Sequence, residues 1–315
     1  MHKDFVQALT NDDIEGIKSF PKTDVHSHVM FSTRRNNVER WLGHSLAKPP
    51  SKMDGLEGML TYVGDILIPH IRNQHGFELI ADSAVNDAIM DGIVVLEMSF
   101  DIRIAEYYTD GLQPFYAYIQ NLVEKCRPKI DLRPELGLSR KCADDANIVK
   151  LMYHAIDSGL FHSIDLYSHQ DACPPEAVKS LYTEAGKRGM KLKAHVGEFG
   201  GAEEIRRTVE ILGLDEVQHG IAAIESEEVM KWLADNNIQL NVCPTSNVML
   251  RAVQDIDSHP IRVLFDNGVP VTINTDDLMI FDQTVSDEYR NLYQAGVFSA
   301  EELDSIRRSS LRSVR

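Results

Sequence analysis

The sequence predicts an α/β fold, a (β/α)8 TIM barrel with a helical lid insertion after strand 1. Three observations predict it. Short apolar or β-branched runs recur eight times, each is separated from the next by a segment of helical length and periodicity, and polar residues gather where the runs stop. Strands are expected near Thr23–Val29, Ile93–Phe100, Asp131–Ser139, Ser163–Ser168, Lys191–Val196, Glu216–His219, Ile238–Cys243 and Pro270–Thr275. Pro134 interrupts the third, and the sixth is short. Between them, 146–156, 174–189 and 201–213 carry helix signals, including a Gly after the last turn. Residues 30–90 hold more than one helix around a Pro49–Pro50 break, and an insertion there would lie over the mouth where barrel active sites form. No repeat, low-complexity tract or Pro/Gly/Ser linker divides the chain, so a single domain over 1–315 is expected.

Composition narrows the task. The chain has 32 Lys+Arg against 48 Asp+Glu, a net charge of −16. Phosphate neutralisation and docking on an anionic membrane both need a basic face, so this balance argues against nucleic acid and membrane as partners. The N-terminus lacks the plan of a signal peptide, and the most apolar stretches, such as 92–100, are too short to cross a bilayer. The four cysteines, Cys126, Cys142, Cys173 and Cys243, match neither a C-x-x-C knuckle nor a disulfide framework. A reduced, cytoplasmic setting is the expectation, and any metal must sit on histidines and carboxylates.

Such a set stands at the strand ends. Strand 1 runs into Asp24-Val25-His26-Ser27-His28, and residues i and i+2 of a strand point to the same side. Strand 5 ends in His195-Val196-Gly197-Glu198, strand 6 in His219-Gly220 and strand 8 in Thr275-Asp276-Asp277. Three histidines and a carboxylate, with a water completing the shell, form a hydrolytic zinc site. His169, one residue past strand 4, stands at the same rim as a candidate substrate contact. His44, His70, His75, His154, His162 and His259 fall away from the strand ends and read as structural or solvent-exposed.

The segments PKTDVHSH, AHVGEFGG, VQHG, NVCPTSN and VPVTINTDD stand in the order and spacing of the adenosine deaminase family, which the chain resembles from about residue 20 to the C-terminus. The resemblance implies one catalytic Zn2+ per chain and hydrolytic removal of an exocyclic amine from a purine-type ring. It implies His26, His28, His195 and Asp276 as the metal ligands. Catalytic roles fall to Glu198, which protonates the ring nitrogen, to His219, which accepts or orients the proton of the water, and to Asp276, which can share that task. Asp277 would bind the five-membered-ring nitrogen. The implied partner is a small molecule, a purine nucleoside or base.

The departures lie on the substrate side. Family nucleoside deaminases follow H-x-H with L-D-G, whose Asp meets the sugar 5′-hydroxyl, whereas here Val29, Met30 and Phe31 follow His28, and Met30 cannot accept that bond. The family's I-D-L-A-G-D-E reads Ile164-Asp165-Leu166-Tyr167-Ser168-His169-Gln170. The amide of that Gly meets purine N3; Ser168 still offers an amide, and adenine deaminases of the family also place a Ser there. The expected activity is therefore an adenosine-like aminopurine nucleoside deaminase, with a 5′-modified nucleoside, adenine or another amino-heterocycle as alternatives. A lactonase- or phosphotriesterase-like barrel is the competing class; its bridging Lys or Glu near the end of strand 4 is missing from SIDLYSHQ.

Overall fold

The computed structural model describes residues 4–314. Eight parallel strands hydrogen-bond in sequence order: β1 (Lys22–Asp24), β2 (Ile93–Asp101), β3 (Asp131–Ser139), β4 (Ser163–Tyr167), β5 (Lys191–Val196), β6 (Glu216–His219), β7 (Gln239–Val242) and β8 (Val271–Ile273). The expected strands are all present. β3 keeps its length despite Pro134, whose carbonyl accepts the His162 amide at 2.8 Å.

β1 departs most in length, ending at Asp24 and not at Val29, and β8 stops at Ile273, short of the expected Thr275. Beyond Asp24 the Val25 amide is taken by the Asn274 side chain at 2.9 Å, so the backbone ladder is interrupted where the histidines begin. The seam between β1 and β8 is then bridged further up: Asp276 N donates to His26 O at 3.0 Å, and Ser27 pairs with Asp276. Two of the residues that carry the site therefore also close the barrel.

Inward positions fill the barrel in layers. One layer is ionic. Lys193, fully buried on β5, extends its Nζ to the carboxylates of Glu97, Glu135 (3.0 Å) and Glu216 (3.5 Å) and to Val25 O (3.0 Å). Burial is the largest influence on Glu97, but the charges of Lys193 and Lys191 and the Lys193 hydrogen bond together outweigh it, and its carboxyl falls to about 2; burial dominates at Glu135, pushed up to about 7. His195 lies two residues past Lys193 on the same strand and so faces the same interior one layer higher.

The insertion after β1 is helical, as expected, with helices at Arg35–Leu42, Gly55–Tyr62 and Gln74–Met90. A π-turn at Val63–Leu67 bends the path before Pro69. Asp54, Leu56, Met59, Leu60 and Val63 of this segment face the cavity at the C-terminal ends of the strands. Among the described residues, no helix is long and apolar enough to cross a membrane.

Candidate active site

A cavity of about 690 Å³ opens at that end of the barrel. Of the residues singled out from the sequence, all but His26 line it; His26 is 1% exposed and lies behind. Three line it from strained backbone: Ser168, His219 and Asp276 have φ of 81°, 65° and 60°. Such left-handed conformations cost a non-glycine residue about 1–3 kcal/mol each and concentrate where geometry matters more than stability.

His26, His195, His219 and Asp276 can bring one ligand atom each within 4.8 Å of one another, as can His28, Asp276 and Asp277. Asp276 joins the two groups: its Oδ1 lies 3.3 Å from His28 Nε2 and 3.8 Å from His26 Nε2. Burial opposes the Asp276 charge, but the hydrogen bond with His28 and the neighbouring imidazoles win, so its carboxyl stays ionised far below the usual range. Its Oδ2 accepts from Ser246 Oγ at 2.7 Å, which fixes the carboxylate plane.

The donor set fits a divalent metal, and the hydrogen bonds say why. His26 gives its Nδ1 proton to Asn241 O at 2.9 Å, and His195 gives its own to Asp165 Oδ1 at 3.0 Å. In neutral rings both Nε2 atoms then present lone pairs, and they face each other at 3.1 Å. Two lone pairs at that distance repel unless a cation lies between them. A carboxylate so placed orients an imidazole as in metal sites; burial works most strongly against the Asp165 charge, but His195, His28 and Lys193 together outweigh it and its carboxyl sits below the usual range.

Glu198 and Asp277 flank this cluster in a different protonation state. Burial, reinforced by the Asp276 charge, holds the Glu198 carboxyl well above its usual range, and the same causes push Asp277 up to about 8. Glu198 Oε2 lies 3.5 Å from His219 Nε2, and its Oε1 accepts from Asn247 Nδ2 at 3.1 Å. Among the described residues Asp277 Oδ1 is buried with no hydrogen-bond partner. Burial also brings His219 down to about 3, so it is neutral at physiological pH.

Met30 and Phe31 form the wall beyond His28. At the opposite rim His169 Nε2 meets Glu57 Oε1 at 2.7 Å, tying the end of β4 to the insertion. Tyr167 packs its ring against His28, with centroids 5.5 Å apart, and donates its hydroxyl to Asp101, which Arg103 grips through Nε at 2.9 Å. Cys243 is buried with its thiol pushed up by that burial, its Sγ 3.3 Å from His26 Nδ1; it packs and does not attack.

Sequence reasoning passed over Asp165, Ser246, Asn247 and Tyr167. Asp165 left a usable signal: a carboxylate at an inward position of an otherwise apolar strand must find a partner. His259, read as structural or solvent-exposed, is 2% exposed and bonds Asn247.

A parallel eight-stranded barrel with a buried His/Asp cluster at the C-terminal ends of its strands, beside a proton-holding glutamate, defines a metal-dependent hydrolase. The family model for adenosine deaminase matches residues 63–314. A protein of Treponema pallidum provisionally named adenosine/adenine deaminase is 36% identical over 297 residues, covering 93% of this chain and 99% of its own length. The fold is shared with an adenine deaminase of Arthrobacter aurescens, at TM-score 0.81 and 22% identity over 93% of each chain. It is shared also with a Burkholderia ambifaria amidohydrolase with bound Zn, at TM-score 0.79 and 20% identity, over 99% of this chain and 88% of that one. The chain belongs to the adenosine deaminase family and is an enzyme.

Proposed function

We propose that the protein is a zinc-dependent hydrolytic deaminase of an aminopurine nucleoside, adenosine-like and tolerant of 5′ modification, giving the 6-oxopurine and ammonia. The observation that carries this is the pairing at one cavity of an ionised Asp276 with a proton-holding Glu198, across a cluster of imidazoles that fits a metal. His26, His28, His195 and Asp276 would hold the ion; zinc is the choice the donor set and the zinc-bound relative support. When bound, it supplies a water acidified towards neutrality, to about pKa 7.

The chain's own groups carry the rest. Glu198 gives its proton to the ring nitrogen beside the amine-bearing carbon, which removes the aromatic resistance of that carbon to water. His219 and Asp276 orient the water and take its proton. A C–O bond forms, the C–N bond to the exocyclic amine breaks, and the amine leaves as ammonia with the first proton surrendered by the water; the second, on the new hydroxyl, passes to the Glu198 carboxylate as the C=O bond forms, which restores the acid. Asp277, protonated and otherwise unpartnered, donates to the five-membered-ring nitrogen; the Ser168 amide meets N3, and His169 contacts the substrate from the rim. Met30 and Phe31 offer the 5′ end of a nucleoside an apolar wall.

The end of β4 favours adenine as a second reading, because Tyr167 and Ser168 are bulkier than the Ala-Gly of the family pattern. Ammonia release from adenosine, 5′-deoxyadenosine, 5′-methylthioadenosine, adenine and N6-substituted purines, ranked by kcat/KM on the zinc-loaded enzyme, tests both. Release from none of them sinks the deaminase reading.

A further inference from the structure

A line of hydrogen bonds runs from the barrel's outer layer to the site, and its first donor is a backbone amide, whose proton is not negotiable. Ile261 N donates to His259 Nδ1 at 3.1 Å. A neutral imidazole that accepts at Nδ1 carries its proton on Nε2. His259 Nε2 lies 3.3 Å from Asn247 Oδ1 and so donates to it. That contact fixes the Asn247 amide with its nitrogen on the far side, where Nδ2 lies 3.1 Å from both Glu198 Oε1 and His219 Nδ1. His219 then accepts at Nδ1, and its remaining proton stands on Nε2, facing Glu198 Oε2 at 3.5 Å and Asp276 Oδ2 at 3.9 Å. The three side chains that lead to Glu198 are buried: Asn247 is 0% exposed, His219 1% and His259 2%. Burial alone brings His259 down to about 3, so the neutral form assumed in the first step is the one present at neutral pH.

We infer that His259 is a positioning residue: through Asn247 it fixes the His219 proton on Nε2 and orients the Glu198 carboxyl. Two consequences follow for the chemistry above, on which this inference rests for its roles. His219 enters the reaction as a donor aimed at the water oxygen, which leaves Asp276 as the group able to take the first proton. A protonated Nε2 also cannot ligate, so His219 is withdrawn from the group whose donor atoms reach one point, which leaves His26, His195 and Asp276 of that group as ligands.

The test reads the proton directly. In zinc-loaded protein labelled with 15N-histidine, two-bond proton–nitrogen correlation at neutral pH is expected to show His219 protonated on Nε2. Asn247→Asp replaces the amide by a group that only accepts, and should move that proton to Nδ1. His259→Leu should let both tautomers appear and lower kcat by about ten- to a hundredfold, the range seen when a positioning partner is lost, with KM within about threefold and zinc content unchanged. His259→Gln, whose amide can still donate to Asn247, should recover most of that loss. A wild-type His219 protonated on Nδ1 overturns the inference without recourse to any variant. So does an Asn247→Asp spectrum identical to wild type, or a His259→Leu enzyme that keeps both tautomer and kcat. Failure of the wild type to release ammonia from any aminopurine would sink the deaminase reading and leave the tautomer result standing.

Discussion

The Nε2 atoms of His26 and His195 face each other at 3.1 Å with both Nδ1 protons committed elsewhere, to Asn241 O and Asp165 Oδ1. Two neutral rings so placed aim their Nε2 lone pairs at one point, which is the arrangement a divalent cation binds. A chelator should abolish ammonia release and lower Tm, since a ligand that binds only the folded state at a hundred times its Kd contributes about 2.7 kcal/mol. Zinc added back should restore both. Asp165→Asn should weaken zinc binding about 10–100-fold in chelator competition. Unchanged affinity would mean that Asp165 does not orient His195.

Glu198 supplies a pH dependence whose sign can be worked out. Its folded pKa is raised, first by burial and then by Asp276, so the protonated form, the one able to donate, is full below that pKa and lost as pH rises through it. The kcat/KM profile should therefore hold on the neutral side and fall on an alkaline limb. Glu198→Gln keeps shape but has no acid to give; turnover should drop about 10²–10⁴-fold with zinc content intact. Undiminished turnover in that variant removes Glu198 from the mechanism.

What the sequence disclosed depended on whether a residue announced its task locally. His26, His28, His195, His219 and the Asp276-Asp277 pair all stand at ends of apolar runs, where a polar residue has no packing reason to be, and all but His26, which lies behind the wall, line one cavity. β1 was read too long because Val25 to Val29 continue the alternation, whereas the ladder there passes to the Asn274 side chain, a contact between residues 249 positions apart. Asn247 and His259 stayed hidden for a similar reason. Neither lies at a strand end, and their roles exist only through partners on other loops. Tyr167 was visible as a letter out of pattern, but its anchoring to Asp101 and Arg103 is a matter of the end of β4 meeting the end of β2 and the turn after it.

Lys193 joins Glu97, Glu135 and Glu216 beneath the site, where Lys191 also reaches Glu216 at 2.5 Å, and it holds Val25 O, one residue before His26. Breaking a buried ion pair by removing one partner costs about 3–5 kcal/mol, because the orphaned charge stays in the interior. Lys193→Met should lose stability on that scale in urea denaturation. Adding Glu97→Gln to it should return part of the loss, since one fewer carboxylate is then stranded. If the single variant is as stable as wild type, the ionic layer is not what holds these strands together.

Met30 decides how the site treats the 5′ end of a nucleoside. It is 9% exposed, lines the cavity beyond His28, and has no atom able to accept a hydroxyl proton. The wild-type enzyme should accordingly process adenosine and 5′-deoxyadenosine with kcat/KM values within several-fold of each other, because the hydroxyl gains nothing in an apolar wall, and hydrophobic pockets discriminate weakly against an added hydroxyl, by about 10² at most. Met30→Asp restores an acceptor. A hydrogen bond to a charged group contributes about 1.5–3 kcal/mol, so the variant should shift the adenosine to 5′-deoxyadenosine ratio upward by about 10–100-fold. The shift should appear against 5′-methylthioadenosine as well, which presents no donor. A wild type that already prefers adenosine by that margin would mean that another group binds the 5′-hydroxyl, and that the Met30 and Phe31 wall lies outside the nucleoside site.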